Sequence, residues 1–259
     1  MFIHQPINSK GNFNYNAFIY VNGSWKPHFH ANYELIYIFD GDLEVKLNNY
    51  SITLRKSELL LINPNVLHAF YTKNSSRFWV GVFSSDFINS FAKRNEFVAY
   101  SKFKCDSEAE AFLKNHLFIE GEQDKYLTIA CLNLVCSQCK KNSEEIESLK
   151  ISDKLNDILK YISSHFSEKI SLSDMASKLG YEYHYLSSLF NSYFDMNFKA
   201  YVNLYRFQHA CELLTNTDKD IIEIAYESGF QTLRNFNRIF KLLSGHTPSS
   251  YRKESANIK

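Results

Sequence analysis

One pattern occurs twice in the last hundred residues of the chain, and it leaves that part little freedom in how it folds. Met175 and Ala176 precede Leu179, Gly180 and Tyr181; about fifty residues later Ile224 and Ala225 precede Gly229 and Phe230. An apolar triplet follows each time, Leu186, Leu189 and Phe190 in the first copy, Phe236, Ile239 and Phe240 in the second. The alanine lets two helices approach closely, the glycine supplies a left-handed turn between them, and the triplet holds the second helix down. Two short helices joined at such a turn make a helix-turn-helix unit, so the chain is expected to carry two.

The flanking sequence extends the pattern into an all-helical segment. Leu155, Ile158, Leu159 and Ile162 recur at three- and four-residue spacing and predict a first helix. Ser171 and Asp174 form a variant capping box that opens a helix running to Leu179. Further helices are predicted over residues 183–194, 197–214, 220–228 and 232–243, and Pro248 opens a last short one. The longest would span ~27 Å, a separation that suits two reading helices in successive major grooves ~34 Å apart. On the first such helix Tyr183, His184, Ser187, Ser188 and Asn191 point outward; on the second Leu233, Arg234, Asn235, Asn237 and Arg238 do, with Lys241 set for a phosphate. Arginine reads guanine bidentately and asparagine reads adenine, so the second unit is the better equipped reader.

Charge bears on this reading only locally. The net charge is +1, which by itself argues against a nucleic-acid binder. Between Ser228 and Lys253, however, stand Arg234, Arg238, Lys241, Arg252 and Lys253 with no acidic residue among them. That is the electrostatic footprint a phosphate backbone meets, and a solvated helix face matches it nearly as well.

Residues 153–254 resemble the DNA-binding domain of AraC/XylS-type bacterial transcriptional regulators. Ile224, Ala225, Gly229, Phe230, Phe236, Phe240, Lys241, Gly245, Thr247, Pro248, Tyr251 and Arg252 carry the likeness most specifically. Leu172, Ala176, Leu179, Leu186, Phe190, Tyr201 and Arg206 extend it through the first unit. The resemblance implies double-stranded DNA as partner and adds Arg206 and Thr232 to the expected DNA-binding residues. It also implies a homodimer, with RNA polymerase as a further contact. Two positions depart from the family. Glu182 stands where a small cap is usual and would repel phosphate, and Asp195 stands where glycine is usual.

The first eighty residues read instead as short strands. Residues 33–39 are β-branched and aromatic, Asp40-Gly41 follows as a turn signal, and Leu43, Val45 and Leu47 alternate with polar residues. Asn48-Asn49 suits a tight turn, the alternation resumes at Ile52 and Leu54, and residues 59–62 and 78–83 read as buried strands. Strands this short and evenly spaced predict a barrel or sandwich. His28, His30, Glu34 and Gly41 resemble the first cupin motif, and Pro64 with His68 resembles part of the second. In a cupin enzyme those three histidines and the glutamate would ligate a metal, but His68 lies one residue short of the usual spacing. The expectation is therefore a pocket for a small organic effector, lined by Trp25, His28, His30, Glu34, Tyr37 and His68, with Tyr33 and Phe70 as further walls or plain core. A carbohydrate is the first candidate, and neither a metal nor another cofactor is assigned.

Helices are predicted over residues 86–95, 107–118 and 123–141. In the last, Leu127, Ala130, Cys131, Leu134 and Val135 form an apolar stripe that either contacts a second copy or packs on the barrel. Cys131, Cys136 and Cys139 fall across too wide an arc for a metal site and read as buried thiols. The whole is an α+β chain: a cupin-like β-barrel with dimerisation helices over residues 1–145, and an all-α domain of two helix-turn-helix units joined by a long helix over residues 151–257. Residues 140–150 read as a linker or frayed helix end.

Five cysteines, an odd number, fit reduced thiols in a cytoplasm. The start, Met-Phe-Ile-His-Gln-Pro, lacks the pattern of a signal peptide, and no apolar run reaches the ~18 residues of a membrane span. Hydrophobic residues at 45% exclude overall disorder. No phosphate-cradling glycine loop or nucleophile elbow is present, so the expectation is a regulator and not an enzyme. Two alternatives stand beside it: a metal-dependent cupin enzyme carrying a DNA-binding domain, and a dimeric regulator that answers to no effector.

Overall fold

The computed structural model describes residues 15–30, 32–48, 50–95, 100–121, 123–146, 153–194 and 196–256. Asn49 of the expected turn, Asp195, and residues 147–152 of the expected linker lie outside them. The described residues fold as two units, one within residues 15–146 and the other within residues 153–256.

The first unit is one seven-stranded antiparallel sheet: β1 (Tyr15–Val21), β2 (Trp25–His28), β3 (Tyr33–Leu47), β4 (Tyr50–Arg55), β5 (Leu59–Ile62), β6 (His68–Tyr71) and β7 (Ser76–Phe83). The turn expected at Asp40-Gly41 is absent. β3 runs straight through it, with a register shift between Ile38 and Asp40 and Gly41 at φ +76°. The turn signal has become a bulge, which bends a strand without ending it. Before the bulge β3 pairs with β5 and β7; after it, β3 pairs with β4 and β6. One long bent strand thus serves both ends of the sheet and curls it into a half-barrel.

Both faces of the curled sheet are covered, which explains why residues 59–62 are apolar without alternation. Tyr33, Leu35, Tyr37, Leu59, Leu61, Trp79 and Phe83 pack into the helical layer. Their alternate neighbours Ile36, Ile38, Leu60, Ile62, Phe78, Val80 and Val82 fill the inner face with Leu43, Val45, Leu54 and Phe70. The helical layer consists of a 3-10 turn (Ser85–Ile88), α1 (Asn89–Asn95), α2 (Ser107–His116) and α3 (Lys125–Asn142). Asp106 and Asp124 cap α2 and α3 by accepting from the backbone N–H groups of Ala109 and Leu127.

α3 turns Cys131, Leu132, Val135, Cys136 and Cys139 onto the sheet, so most of its apolar stripe is spent within the chain. Ala130, expected in that stripe, is exposed, and Leu127 and Leu134 are half-buried. Cys131, Cys136 and Cys139 are core thiols, as their spacing predicted, and burial raises the pKa of each, that of Cys139 to about 11.

Tyr37 ties α2 to the sheet. Its ring stacks on Phe118 at 4.2 Å and its hydroxyl donates to Glu110 Oε1 at 2.7 Å, beside the Lys114 ammonium, also at 2.7 Å. Burial raises the Glu110 pKa, but hydrogen bonds from Lys114, Ser57 and Tyr37 outweigh it and bring the group down to about 2. A carboxyl depressed on folding adds stability above its ordinary range and loses it as pH falls toward the folded value. Glu110→Gln is therefore expected to flatten the pH dependence of thermal unfolding between pH ~4.5 and ~2, while an unchanged slope would remove Glu110 from the acid response.

The second unit is entirely helical: α4 (Asp153–His165), α5 (Leu172–Leu179), α6 (Tyr183–Phe194), α7 (Phe198–Asn216), α8 (Ile221–Glu227), α9 (Leu233–Ser244) and α10 (Pro248–Ala256). The cap expected at Ser171 is present, and Asn197 and Thr232 open α7 and α9 in the same way. Ser171 accepts from the Asp174 N–H, Asn197 from Ala200, and Thr232 from Asn235. The two turns are built alike, with Tyr181 N–H donating to the Ala176 carbonyl and Phe230 N–H to the Ala225 carbonyl. Phe190, Phe194 and Tyr201 form the core between α6 and α7, while Phe207, Phe230, Phe236, Phe240 and Tyr251 form the core of the second helix-turn-helix.

Candidate functional site

α9 presents the basic face. Phe236, Ile239 and Phe240 are buried beneath it, so Arg234, Asn237, Arg238 and Lys241 necessarily turn outward, and all four are exposed. Arg238 donates to Asn235 Oδ1 at 3.1 Å, which holds two of the expected readers side by side. Thr232 spends its hydroxyl on the helix cap, accepting from the Asn235 N–H at 3.2 Å. Leu233 is half-buried and packs against the core of the unit, so it anchors the helix start.

On α6 the outward residues fall into two rows. Tyr183, Ser187 and Asn191 line a groove of ≈ 500 Å³ with Asn197 and Lys199 from the start of α7. His184 and Ser188 lie on the neighbouring exposed row, and Glu182 is exposed just ahead of the helix. Among the described residues, the basic side chains that border that groove are Lys199 and the half-buried Arg206.

Two arginines counted for DNA on sequence have other tasks. Arg206 donates from Nε to the Phe166 carbonyl and from Nη2 to the Glu168 carbonyl, each at 2.8 Å, pinning the loop after α4 to α7. Arg252 does the same at the far end of α7, with Nη2 on the Lys219 carbonyl at 2.6 Å and Nε on Leu214. Both tie down carbonyls of the segments that join the helices, at Phe166 and Glu168 and at Lys219. The basic footprint on the second unit is correspondingly smaller than the charge count implied.

In the half-barrel the expected effector residues separate by strand parity. His28, His30, Glu34 and His68 converge, their ligand-type atoms all within 4.8 Å of one another. Glu34 Oε2 lies 2.7 Å from His30 Nε2 and 3.3 Å from His68 Nε2. The His28 ring is 4.2 Å from that of His68, and Phe70 and Trp25 extend the aromatic wall at 6.0 and 5.6 Å ring spacing. Tyr37 and Tyr33, three residues and one residue from Glu34, belong to the opposite face and pack into the helical layer. Their place among pocket walls is thereby corrected, because side chains an odd number of positions apart point to opposite faces of a strand.

The electrostatics of the cluster follow from its dryness. Glu34 is fully buried; burial raises its pKa, but the His68 charge and hydrogen bonds from His30 and His68 outweigh that and hold it well below the ordinary carboxylate range. Burial, with the adjacent His68 ring, pushes His28 well below the ordinary imidazole range. Glu34 and His68 sit 34 positions apart in sequence and on different strands, and the half-barrel brings together the four residues that the motif resemblance had grouped.

Known proteins share both halves of this arrangement. Residues 175–254 match the family described as a helix-turn-helix domain, and residues 17–114 match the AraC-like ligand binding domain. HTH-type transcriptional regulators of Staphylococcus aureus are 36% identical over 112 residues, 43% of this chain. The chain matches only 15% of the length of those relatives. The Msm operon regulatory protein of Streptococcus mutans is 24% identical over 255 residues, covering 90% of this chain and 88% of that protein. Among solved structures, ToxT of Vibrio cholerae shares the fold, with a TM-score of 0.63 at 18% identity over 93% of this chain and 98% of that one. A second ToxT structure, with an unsaturated fatty acid bound, matches with a TM-score of 0.62 at 18% identity over 95% of this chain and 96% of that one.

Proposed function

Because the chain belongs to the AraC-type family, an AraC-like ligand binding domain followed by a helix-turn-helix domain, we propose that it is a transcriptional regulator that reads double-stranded DNA. The observation that carries this reading is the exposed row Arg234, Asn237, Arg238 and Lys241 on a helix fixed from below by three buried apolar residues. α9 enters one major groove and reads bases through Arg234, Asn235, Asn237 and Arg238, with Lys241 on a phosphate. α6 enters the next groove through Tyr183, His184, Ser187, Ser188 and Asn191. The 19-residue α7, ~28 Å long, spaces them. Arg206, Thr232 and Leu233 act here by holding the reading helices in place.

The half-barrel, in this reading, receives a small-molecule effector beside Trp25, His28 and Phe70, and a carbohydrate is the class we put forward. The chain works in the cytoplasm as a homodimer that contacts RNA polymerase, and it catalyses no reaction. No helix among the described residues is long and apolar enough to cross a membrane. Since α3 spends most of its apolar face on its own sheet, a second copy would meet the outward side bearing Tyr126 and Ala130.

Selection of bound duplexes from a random DNA pool tests the reading. At near-physiological salt the expected product is a bipartite site whose halves lie about one helical turn, ~10 bp, apart. Enrichment of a single short half would confine base reading to α9. Folded protein that enriches nothing, with and without a metabolite extract, would overturn the proposal.

A further inference from the structure

The groove on the first helix-turn-helix unit is larger and more apolar than a contact with DNA requires. At ≈ 500 Å³ it falls among the hollows of ~300–1,000 Å³ that hold small organic molecules. Its floor comes from the core itself. Phe190, Phe198 and Val202 are buried, the two phenylalanine rings meet edge to face at 5.4 Å, and Leu172 adds to the lining. Its charge is of one sign, because Lys199 and Arg206 line it and, among the described residues, no acidic side chain does. Lys199, exposed in the first turn of α7, has no ion pair or hydrogen bond with a described residue. Arg206 spends Nε and Nη2 on the Phe166 and Glu168 carbonyls. Burial lowers its pKa with no acidic neighbour to offset the effect. A half-buried guanidinium held only by neutral carbonyls carries an unbalanced charge, which a bound anion relieves. α5 and α7 both begin at the groove, through Ser171 and Asn197, and add the partial positive charge of their first turns.

We propose that this groove is a binding site for one small organic anion, its apolar body on Phe190, Phe198 and Val202 and its carboxylate- or sulfonate-type group toward Lys199 and Arg206. A phosphate of the DNA backbone would account for the cations but not for the apolar floor. Ser187, Asn191 and Asn197 supply the neutral hydrogen-bonding groups that orient such a molecule. The site belongs to the second unit alone, apart from the half-barrel that receives the effector. Tyr183, Ser187 and Asn191, the row of α6 assigned to DNA, also line the groove. Occupant and duplex therefore compete for one face of the unit, and that consequence alone rests on the DNA reading.

The fluorescent sulfonate 1-anilinonaphthalene-8-sulfonate, titrated into the full chain, provides the test. It joins an anionic group to an aromatic body and brightens where water is excluded. The expected result is a saturable component that Lys199→Glu weakens ~10-fold or more and Ser187→Trp removes by filling the groove. A glutamate in the first turn of α7 suits the helix, so Lys199→Glu keeps the fold even where the bulkier change does not. Protein with a native circular dichroism spectrum and no saturable component would overturn the assignment, as would a component that both substitutions leave unchanged. If Lys199→Glu lowers DNA affinity and leaves the probe bound, the groove is a seat for the DNA backbone and the assignment falls. Competition is read on the same samples, where a saturating probe is expected to weaken the gel shift of the selected duplex. A shift that the probe leaves untouched would overturn the shared face. No shift at any probe concentration would remove the DNA reading and leave the groove standing.

Discussion

Replacing Arg234 by alanine is expected to weaken binding to the selected duplex ~5- to 150-fold, the ~1–3 kcal/mol of one bidentate base contact, and to relax the preference at one base pair. Lys241→Ala is expected to act differently. A phosphate contact carries no sequence information, so every duplex should lose affinity alike and the salt dependence should shallow by about one released counterion. The distinction rests on position. Arg234 sits in the first turn of α9, where a groove-inserted helix meets base edges, whereas Lys241 lies two turns further along the same exposed row. Affinities for the selected site and for a scrambled duplex, at two salt concentrations, separate the two. Equal losses on both duplexes from Arg234→Ala would remove its base-reading role.

Gly229→Ala should destabilise the second unit more than Gly180→Ala or Gly245→Ala. The residue lies at φ +84°, where a side chain is strained, and its new Cβ would lie 2.6 Å from Ser167 Cα and 2.7 Å from the Phe166 carbonyl oxygen. Those are backbone atoms that no rotamer change relieves, and Arg206 holds that loop in place from the other side. The left-handed strain alone costs ~1–2 kcal/mol, and the collision should take the total beyond ~4 kcal/mol, in the range reserved for severe lesions. Gly180→Ala is the control. Its φ of +70° is similar, yet nothing lies within 4 Å of the added carbon, so only the ~1–2 kcal/mol of strain is expected. Urea unfolding of the two variants makes the comparison, and similar losses would mean that the loop at residues 166–168 is not packed against the turn.

Much of the second unit was legible in its sequence because its signals are local. Ser171, Asn197 and Thr232 cap helices within three residues of themselves, and the spacing of Leu186 with Phe190 or Phe236 with Phe240 sets the buried face of the same helix. The predicted bounds of α6 agree with the structure, and those of the other helices differ by a residue or two at their ends. In the first unit the equivalent signals misled at Asp40-Gly41, since the same residues that end a strand in a turn also bend one in a bulge. Which outcome follows depends on whether partners exist on both sides of the bend, and here β5 and β7 wait on one side and β4 and β6 on the other.

The sequence by itself determined the helix-turn-helix pair, the outward residues of α9 apart from the half-buried Leu233 and Asn235, and the four residues of the histidine–carboxylate cluster. Tertiary structure alone decided that Arg206 and Arg252 bind carbonyls of distant loops, that Gly229 is crowded where Gly180 is open, and that Tyr37 faces helices while Glu34 faces the histidines. The division has one physical reason. Periodicity and capping are set by residues within a turn or two of each other, whereas charge pairing, steric room and the meeting of side chains from different strands depend on atoms that only the folded chain brings within a few ångströms.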